Sequence, residues 1–284
     1  MAAILYYRVV VQSFKGVPVL VTGAGRGIGK RLAIGFAAQG ARVALLARSK
    51  AELDLCHLEI EHAGGNALRI RADISDYEQI SAGVERMRVH FNAPVQVLIC
   101  AAAIQGPIGP FVESSPKLWH EVVQTNLIGV MNACRAALPG MIERRSGKII
   151  VLACGGAFTA RPNFAMYAAT KSAVARFVES VAEEVRDHNI QVNCISPGDT
   201  YTHMTDQILA AGERAGWREA EHAQETRLTG GTSPEKQMEL ALFLASAQSN
   251  HISGRLIGVM DDWKKLKSGT AKPELFTLRR VQRA

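Results

Sequence analysis

VPVLVTGAGRGIG, residues 17–29, decides the fold. A short apolar run over 17–22 passes through a loop of glycines straight into a helical pattern from Ile28 to Gln39. The same alternation then repeats along the chain. Val43 to Ala47 precedes a helix predicted from Lys50 to His62, which ends at Gly64 and Gly65. LRIRA at 68–72 leads to a helix near 76–90, and VQVLICA at 95–101 leads to a long helix between Pro116 and Arg144. KIIVLA at 148–153 is followed by a helix from about Ala165 to Arg186, and then by IQVNCI at 190–195. Strands that are apolar almost throughout, alternating with helices, belong to a parallel sheet buried on both faces. The prediction is one doubly wound α/β domain over 17–263, with an extension at 1–16, a helical insertion near 200–232 and a tail at 264–284.

Composition narrows the partners. The chain has 284 residues, 48% hydrophobic and 21% charged, which reads as globular. It contains no apolar run of eighteen residues, so no membrane partner is expected. Arg8 interrupts the apolar start, and no signal peptide is expected. Five cysteines without metal-type spacing (Cys56, Cys100, Cys134, Cys154, Cys194) fit reduced thiols and a cytoplasmic location. The histidines form no ligand cluster, so no metal is expected. Seven Lys/Arg against Glu274 in residues 264–284 hold +6 of the net +7. The body is therefore balanced, and no nucleic-acid partner is expected.

The glycines fall where a strand meets the first helix, the context in which backbone N–H groups approach a pyrophosphate. Their spacing is Thr-Gly-x-x-x-Gly-x-Gly, and further landmarks follow in order. These are Asp73 in RADIS, Asn126 in TNLIG, Tyr167 and Lys171 in YAATK, and Pro197-Gly198 in ISPGDTYT. Over about residues 17–261 the chain resembles the short-chain dehydrogenase/reductase family, a Rossmann-type fold. The resemblance implies a dinucleotide held by Thr22, Gly23, Gly25, Arg26, Gly27, Ile28, Gly29, Ile74 and Ala101, with Asp73 beside the adenine. It also implies that Pro197, Gly198, Thr200 and Thr202 face the nicotinamide end. The second strand ends in Ala47-Arg48 without a carboxylate. Arg48 and Arg26 suit a ribose 2′-phosphate, so NADP is the expected cofactor. Where the family has Asn-Asn-Ala-Gly, this chain has Cys100 followed by three alanines, which puts local rigidity in question.

Tyr167 and Lys171, four residues apart on a helix, share a face. A nearby ammonium favours the phenolate and makes tyrosine a proton shuttle. The resemblance makes Tyr167 the proton donor/acceptor, Lys171 also a ligand of the nicotinamide ribose, and Asn126 the support of a relay water. Cys154, thirteen residues before Tyr167, takes the place of the family's serine that hydrogen-bonds the substrate oxygen. The expected function is hydride transfer between NADP(H) and a small-molecule carbonyl/alcohol pair. The alternative is a dinucleotide-binding protein with weak or no chemistry, because a thiol is the poorer donor. Epimerases of the related extended family fit less well, since they show Thr-Gly-x-x-Gly-x-x-Gly. By the resemblance, residues 200–232, which include Trp217, form a substrate lid, and the long helices near Pro116 and Ala165 make a homodimer or homotetramer. Steroid, sugar, acyl thioester and small ketone all stay open as substrates.

Overall fold

The structure, a computed structural model, describes residues 14–268 and 276–278. Most of the expected N-terminal extension and much of the basic tail lie outside the described residues. Seven parallel strands form one sheet in the order β3-β2-β1-β4-β5-β6-β7. They are β1 (Pro18–Thr22), β2 (Arg42–Ala47), β3 (Asn66–Arg71), β4 (Val97–Cys100), β5 (Gly147–Leu152), β6 (Ile190–Ser196) and β7 (Leu256–Gly258). The chain steps outward from β1 to β3, then returns to lay β4 on the other side of β1. That reversal opens a crevice at the carboxyl ends of β1 and β4, where doubly wound sheets place their ligands.

Side chains alternate across each strand, so the two faces feed two cores. Val19 and Val21 pack with α1 (Gly27–Ala38), α2 (Lys50–His62) and α9 (Pro234–Ala245). Leu20 faces the opposite core, shared with α3 (Tyr77–Phe91), α5 (Gly129–Arg144) and α6 (Ala165–Glu184). Both sides of β1 are fully buried, which accounts for its unbroken apolar run.

Two boundaries differ from the sequence expectation. The helix expected over 116–144 is interrupted: α4 (Pro116–Val123) passes into a π-helical turn, Gln124–Ile128, before α5 begins. One extra residue in the turn leaves no break in the apolar pattern, so periodicity does not show it. The fold also runs beyond 263. Trp263 is buried and stacks on Phe243 at 5.2 Å between ring centroids, and Leu266 is buried as well. Phe276 O accepts a bond from Leu256 N (2.7 Å), bringing 276–278 back to β7.

Lys148 of β5 is buried, with its Nζ donating to Asn250 Oδ1 (2.8 Å) and Ser249 Oγ (3.2 Å). Burial lowers its pKa to about 7 from an ordinary 10.5. Between those values the folded chain sheds a proton that the unfolded chain keeps, so this lysine makes stability rise with pH. Urea melts are expected to show the wild type gaining on Lys148→Met, by up to about 1.4 kcal/mol per pH unit, above pH ~7. A pH-independent difference would contradict the assignment.

Candidate active site

The crevice holds a cavity of about 840 Å³. Along one wall run Gly23, Gly25, Arg26, Gly27, Ile28 and Gly29, the loop that delivers α1. Two glycines there are required by close backbone approach. Gly23 has φ +68°, and a Cβ on it would lie 2.7 Å from Ala102 Cα. A Cβ on Gly29 would overlap the carbonyl oxygen of Gly23. The start of α1 is thus pressed onto the end of β1. Its N-cap residue, Arg26, offers no side-chain cap, and its first turn contains no acid. By contrast, Ser49 caps α2 and Asp76 caps α3. An uncapped N-terminus opening on a cavity presents free N–H groups and the positive end of the helix dipole.

Cations surround this end. Arg31 lines the cavity; its Nη2 reaches Tyr201 O at 3.4 Å, while its buried Nη1 has no hydrogen-bond partner. Arg26 pairs with Glu52 at 3.5 Å and Arg48 with Asp73 at 3.8 Å, both arginines mostly exposed. Asp73 also accepts from Ser75 N and Oγ (2.9 and 2.7 Å). Burial works against its ionisation, but the Ser75 bonds and Arg48 outweigh it and lower its pKa. Uncapped helix, glycine cradle and orphaned guanidinium nitrogen together fit a dinucleotide pyrophosphate.

The expected catalytic residues meet at the inner end. Tyr167 and Lys171, on successive turns of α6, both line the cavity. Lys171 Nζ donates to Leu152 O (2.7 Å) and sits 5.6 Å from the Tyr167 ring centroid. In the enclosed site of the chain alone, the phenol is held above its ordinary range. Burial pushes its pKa up, a charge on Cys154 would add to that, and Arg161 is the cation that opposes it. Burial lowers Lys171 in turn. For the phenol, desolvation outweighs the Arg161 guanidinium.

Asn126, in the π turn, is fully buried. Its Oδ1 accepts from Ile104 N (2.8 Å), and its Nδ2 donates to Ile104 O (2.9 Å) and Thr170 Oγ1 (3.4 Å). Thr22 Oγ1 accepts from Ala101 N (3.2 Å) and Ala102 N (3.4 Å). These bonds hold the segment that lacks the family's asparagine. Arg48, Ile74, Ala101, Pro197 and Thr202 line the cavity. Thr22, Asp73, Asn126, Cys154 and Gly198 support or flank its wall. Thr200 is turned aside: its hydroxyl bonds Gly198 O (3.3 Å) and accepts from Gln237 Nε2 (2.6 Å).

Residues 200–232 form α7 (His203–Ala211) and α8 (Trp217–Thr229). Their Ile208, Ala215 and Ala223 bury against Phe164 and Tyr167, with Cys154 at the margin. Arg161 donates to both carboxylate oxygens of Glu219 on α8, at 2.8 and 2.7 Å. Glu52, Arg31 and Arg161 escaped sequence reasoning. None belongs to the recurring motif, and each reaches the site only through tertiary packing.

A family model described as short chain dehydrogenase matches residues 18–212. The chain belongs to the short-chain dehydrogenase/reductase family. Gluconate 5-dehydrogenase of Gluconobacter oxydans is 33% identical over 247 residues, covering 87% of this chain and 94% of that protein. A 3-oxoacyl-(acyl-carrier-protein) reductase of Thermotoga maritima is 31% identical, over 86% of this chain and 96% of its own. Among solved structures, a gluconate 5-dehydrogenase from Burkholderia cenocepacia in complex with NADP and tartrate superposes with a TM-score of 0.77, at 28% identity, over 89% of this chain and 97% of that one. A 3-oxoacyl-(acyl-carrier protein) reductase with bound NAD from Brucella melitensis gives 0.74 at 30% identity, over 87% of this chain and 90% of that one. A dehydrogenase/reductase of this family takes a nicotinamide dinucleotide, and the two structures carry one each of its forms. Among the described residues, no helix is long and apolar enough to cross a membrane.

Asn126→Leu would leave Ile104 N–H and C=O without this partner at a part-buried position. Thermal or urea melts are expected to show a loss of about 2 kcal/mol or more. An unchanged midpoint would remove the tether from this account.

Proposed function

We propose that this chain interconverts a carbonyl and an alcohol with NADP(H), and that Tyr167 exchanges the proton with the substrate oxygen. One observation carries the reading: Tyr167, Lys171 and the uncapped start of α1 all open on a single cavity. The bound nicotinamide supplies or accepts the hydride at the carbonyl carbon. For reduction, Tyr167 gives its phenolic proton to the oxygen as the bond becomes an alkoxide. Its raised pKa keeps it protonated and ready to donate. Lys171 replenishes that proton and takes the nicotinamide ribose hydroxyls. Asn126 keeps the 101–104 segment in place through Ile104. Cys154 stands where a substrate-oxygen donor is needed, and a thiol donates weakly.

The choice of NADP rests on Arg26 and Arg48 at the adenosine end, where a 2′-phosphate would draw them from Glu52 and Asp73. Glu52 counts against that choice, since a carboxylate close to Gly25 could accept from a free 2′-hydroxyl instead. Two guanidiniums against one such acid favour the phosphate. Fluorescence titration is expected to show tighter binding of NADPH than NADH, with the ratio falling by roughly tenfold in Arg48→Ala. Equal affinities, or a ratio that Arg48→Ala leaves alone, would return the choice to NAD.

Residues 200–232 act as the substrate lid. The chain assembles as a homodimer or homotetramer through the helices that begin near Pro116 and Ala165, α4–α5 and α6. Light scattering at micromolar concentration that gave a monomer would refute the assembly.

The chemistry is tested by Cys154→Ser. Restoring a hydroxyl donor at a developing oxyanion is expected to raise kcat by on the order of tenfold or more, and adding Tyr167→Phe should abolish the gain. No gain from serine in an already fast enzyme would show that the cysteine is no handicap. Absence of turnover in both variants and the wild type would overturn the oxidoreductase reading.

A further inference from the structure

Arg161 lies in the segment between Cys154 and Tyr167, the two residues aimed at the reacting oxygen. Its guanidinium stands 4.1 Å from the Phe164 ring centroid and 5.8 Å from that of Tyr167. A Cβ added to Gly156 would touch both Cys154 Sγ and Arg161 Cδ, so thiol and arginine stem share one corner. Its planar fork is satisfied by Glu219, which is not on the same wall but on α8, in the 200–232 segment.

This pair differs from the other ion pairs that the segment makes outside itself among the described residues. Arg214–Glu113 (54% and 52%) and His222–Asp199 (50% and 64%) are half exposed or more, whereas Arg161 and Glu219 are only 21% and 26% exposed. A fastening between two surfaces works in water, and withdrawing its charges from water adds cost. Arg161 is instead drawn into an aromatic and thiol surround beside the reacting group. Lys171 stands 5.6 Å from the same Tyr167 ring, so two cations flank the phenol. The acid facing Arg161 belongs to the segment proposed above as the substrate lid. Movement of that lid would leave a two-pronged donor, partly desolvated and positive, beside the Tyr167 ring. A bidentate guanidinium recognises a planar carboxylate in that geometry.

We infer that Arg161 binds the carboxylate of the substrate, that Glu219 occupies this position in the closed, unliganded chain, and that the substrate is therefore a small hydroxy or oxo acid. The inference rests on the oxidoreductase reading above and adds the substrate class to it. The redox balance is that of the same reaction: the oxo acid gains a hydride at its carbonyl carbon and a proton at its oxygen, NADPH becomes NADP⁺, and the carboxylate is unchanged. Arg161 is a binding and specificity residue that stays outside the bond-making step. Glu219 gives way to the substrate anion, so acid binding and opening of α8 are coupled.

The test uses matched pairs that differ only in the charge: acetoacetate and levulinate, each against its methyl ester, with NADPH consumption followed. The wild type is expected to favour the acids in kcat/KM. In Arg161→Met the acid-to-ester ratio should fall by about 10- to 100-fold, the range for losing a charge-assisted hydrogen-bonding pair. Arg161→Lys, which keeps the charge without the fork, should retain part of the preference. Tartrate, titrated into the cofactor complex with tryptophan fluorescence as readout, should bind more tightly to Glu219→Gln than to wild type and more weakly to Arg161→Met. A purely structural Arg161 would lower acid and ester rates together, leaving the ratio unchanged, and that result overturns the inference. Turnover with no preference for acids, and tartrate binding indifferent to Arg161, also overturns it while the oxidoreductase reading stands. Tartrate held through Arg161 without turnover of any oxo compound would instead sustain the carboxylate site and remove the oxidoreductase reading.

Discussion

The close contact between Gly29 and the carbonyl of Gly23 sets the rest of the site. It presses the first turn of α1 onto the end of β1, and the helix's N-cap residue is Arg26, whose side chain has no acceptor with which to cap it. Its N–H groups then face the crevice opened by the reversal of strand order. The residues proposed to bind and react lie along that crevice: cations at the β2 end, Tyr167 and Lys171 at the β5 end. A side chain at either glycine would move the helix rather than merely crowd a ligand.

The 101–104 segment shows how one job can be done by different residues. With alanines where the family places asparagine and glycine, the segment has no polar side chains of its own to fix it. Thr22 from β1 and Asn126 from the π turn hold it from either side. Asn126 sits buried within the π turn and reaches both backbone groups of Ile104 from there. The sequence departure that raised doubt about rigidity is therefore met by neighbouring hydrogen bonds.

Most of the fold was legible because its signal is local. Apolar runs buried on both faces, each followed by a helical pattern, give the strand count as far as β6 and the parallel arrangement directly. β7 is three residues long, too short for any periodicity, and the π turn leaves the apolar pattern intact. At the site, residues within a contiguous motif, such as Gly23, Tyr167 and Lys171, were readable. Glu52, Arg31, Arg161 and Glu219 were not, because their roles arise from pairs far apart in the chain. Spacing brings the Lys171 ammonium near Tyr167, but only the fold shows how completely both groups are enclosed, which pushes the phenol up and the lysine down.

The central claim is that the dinucleotide crevice and Tyr167 form one reacting site. Methyl acetoacetate reduced with NADPH carrying deuterium at both positions of the nicotinamide C4 tests it most directly. The account predicts one deuterium at the carbinol carbon of the product, and loss of turnover in Tyr167→Phe with NADPH still bound. Unlabelled product, or a Tyr167→Phe variant as fast as wild type, would contradict it.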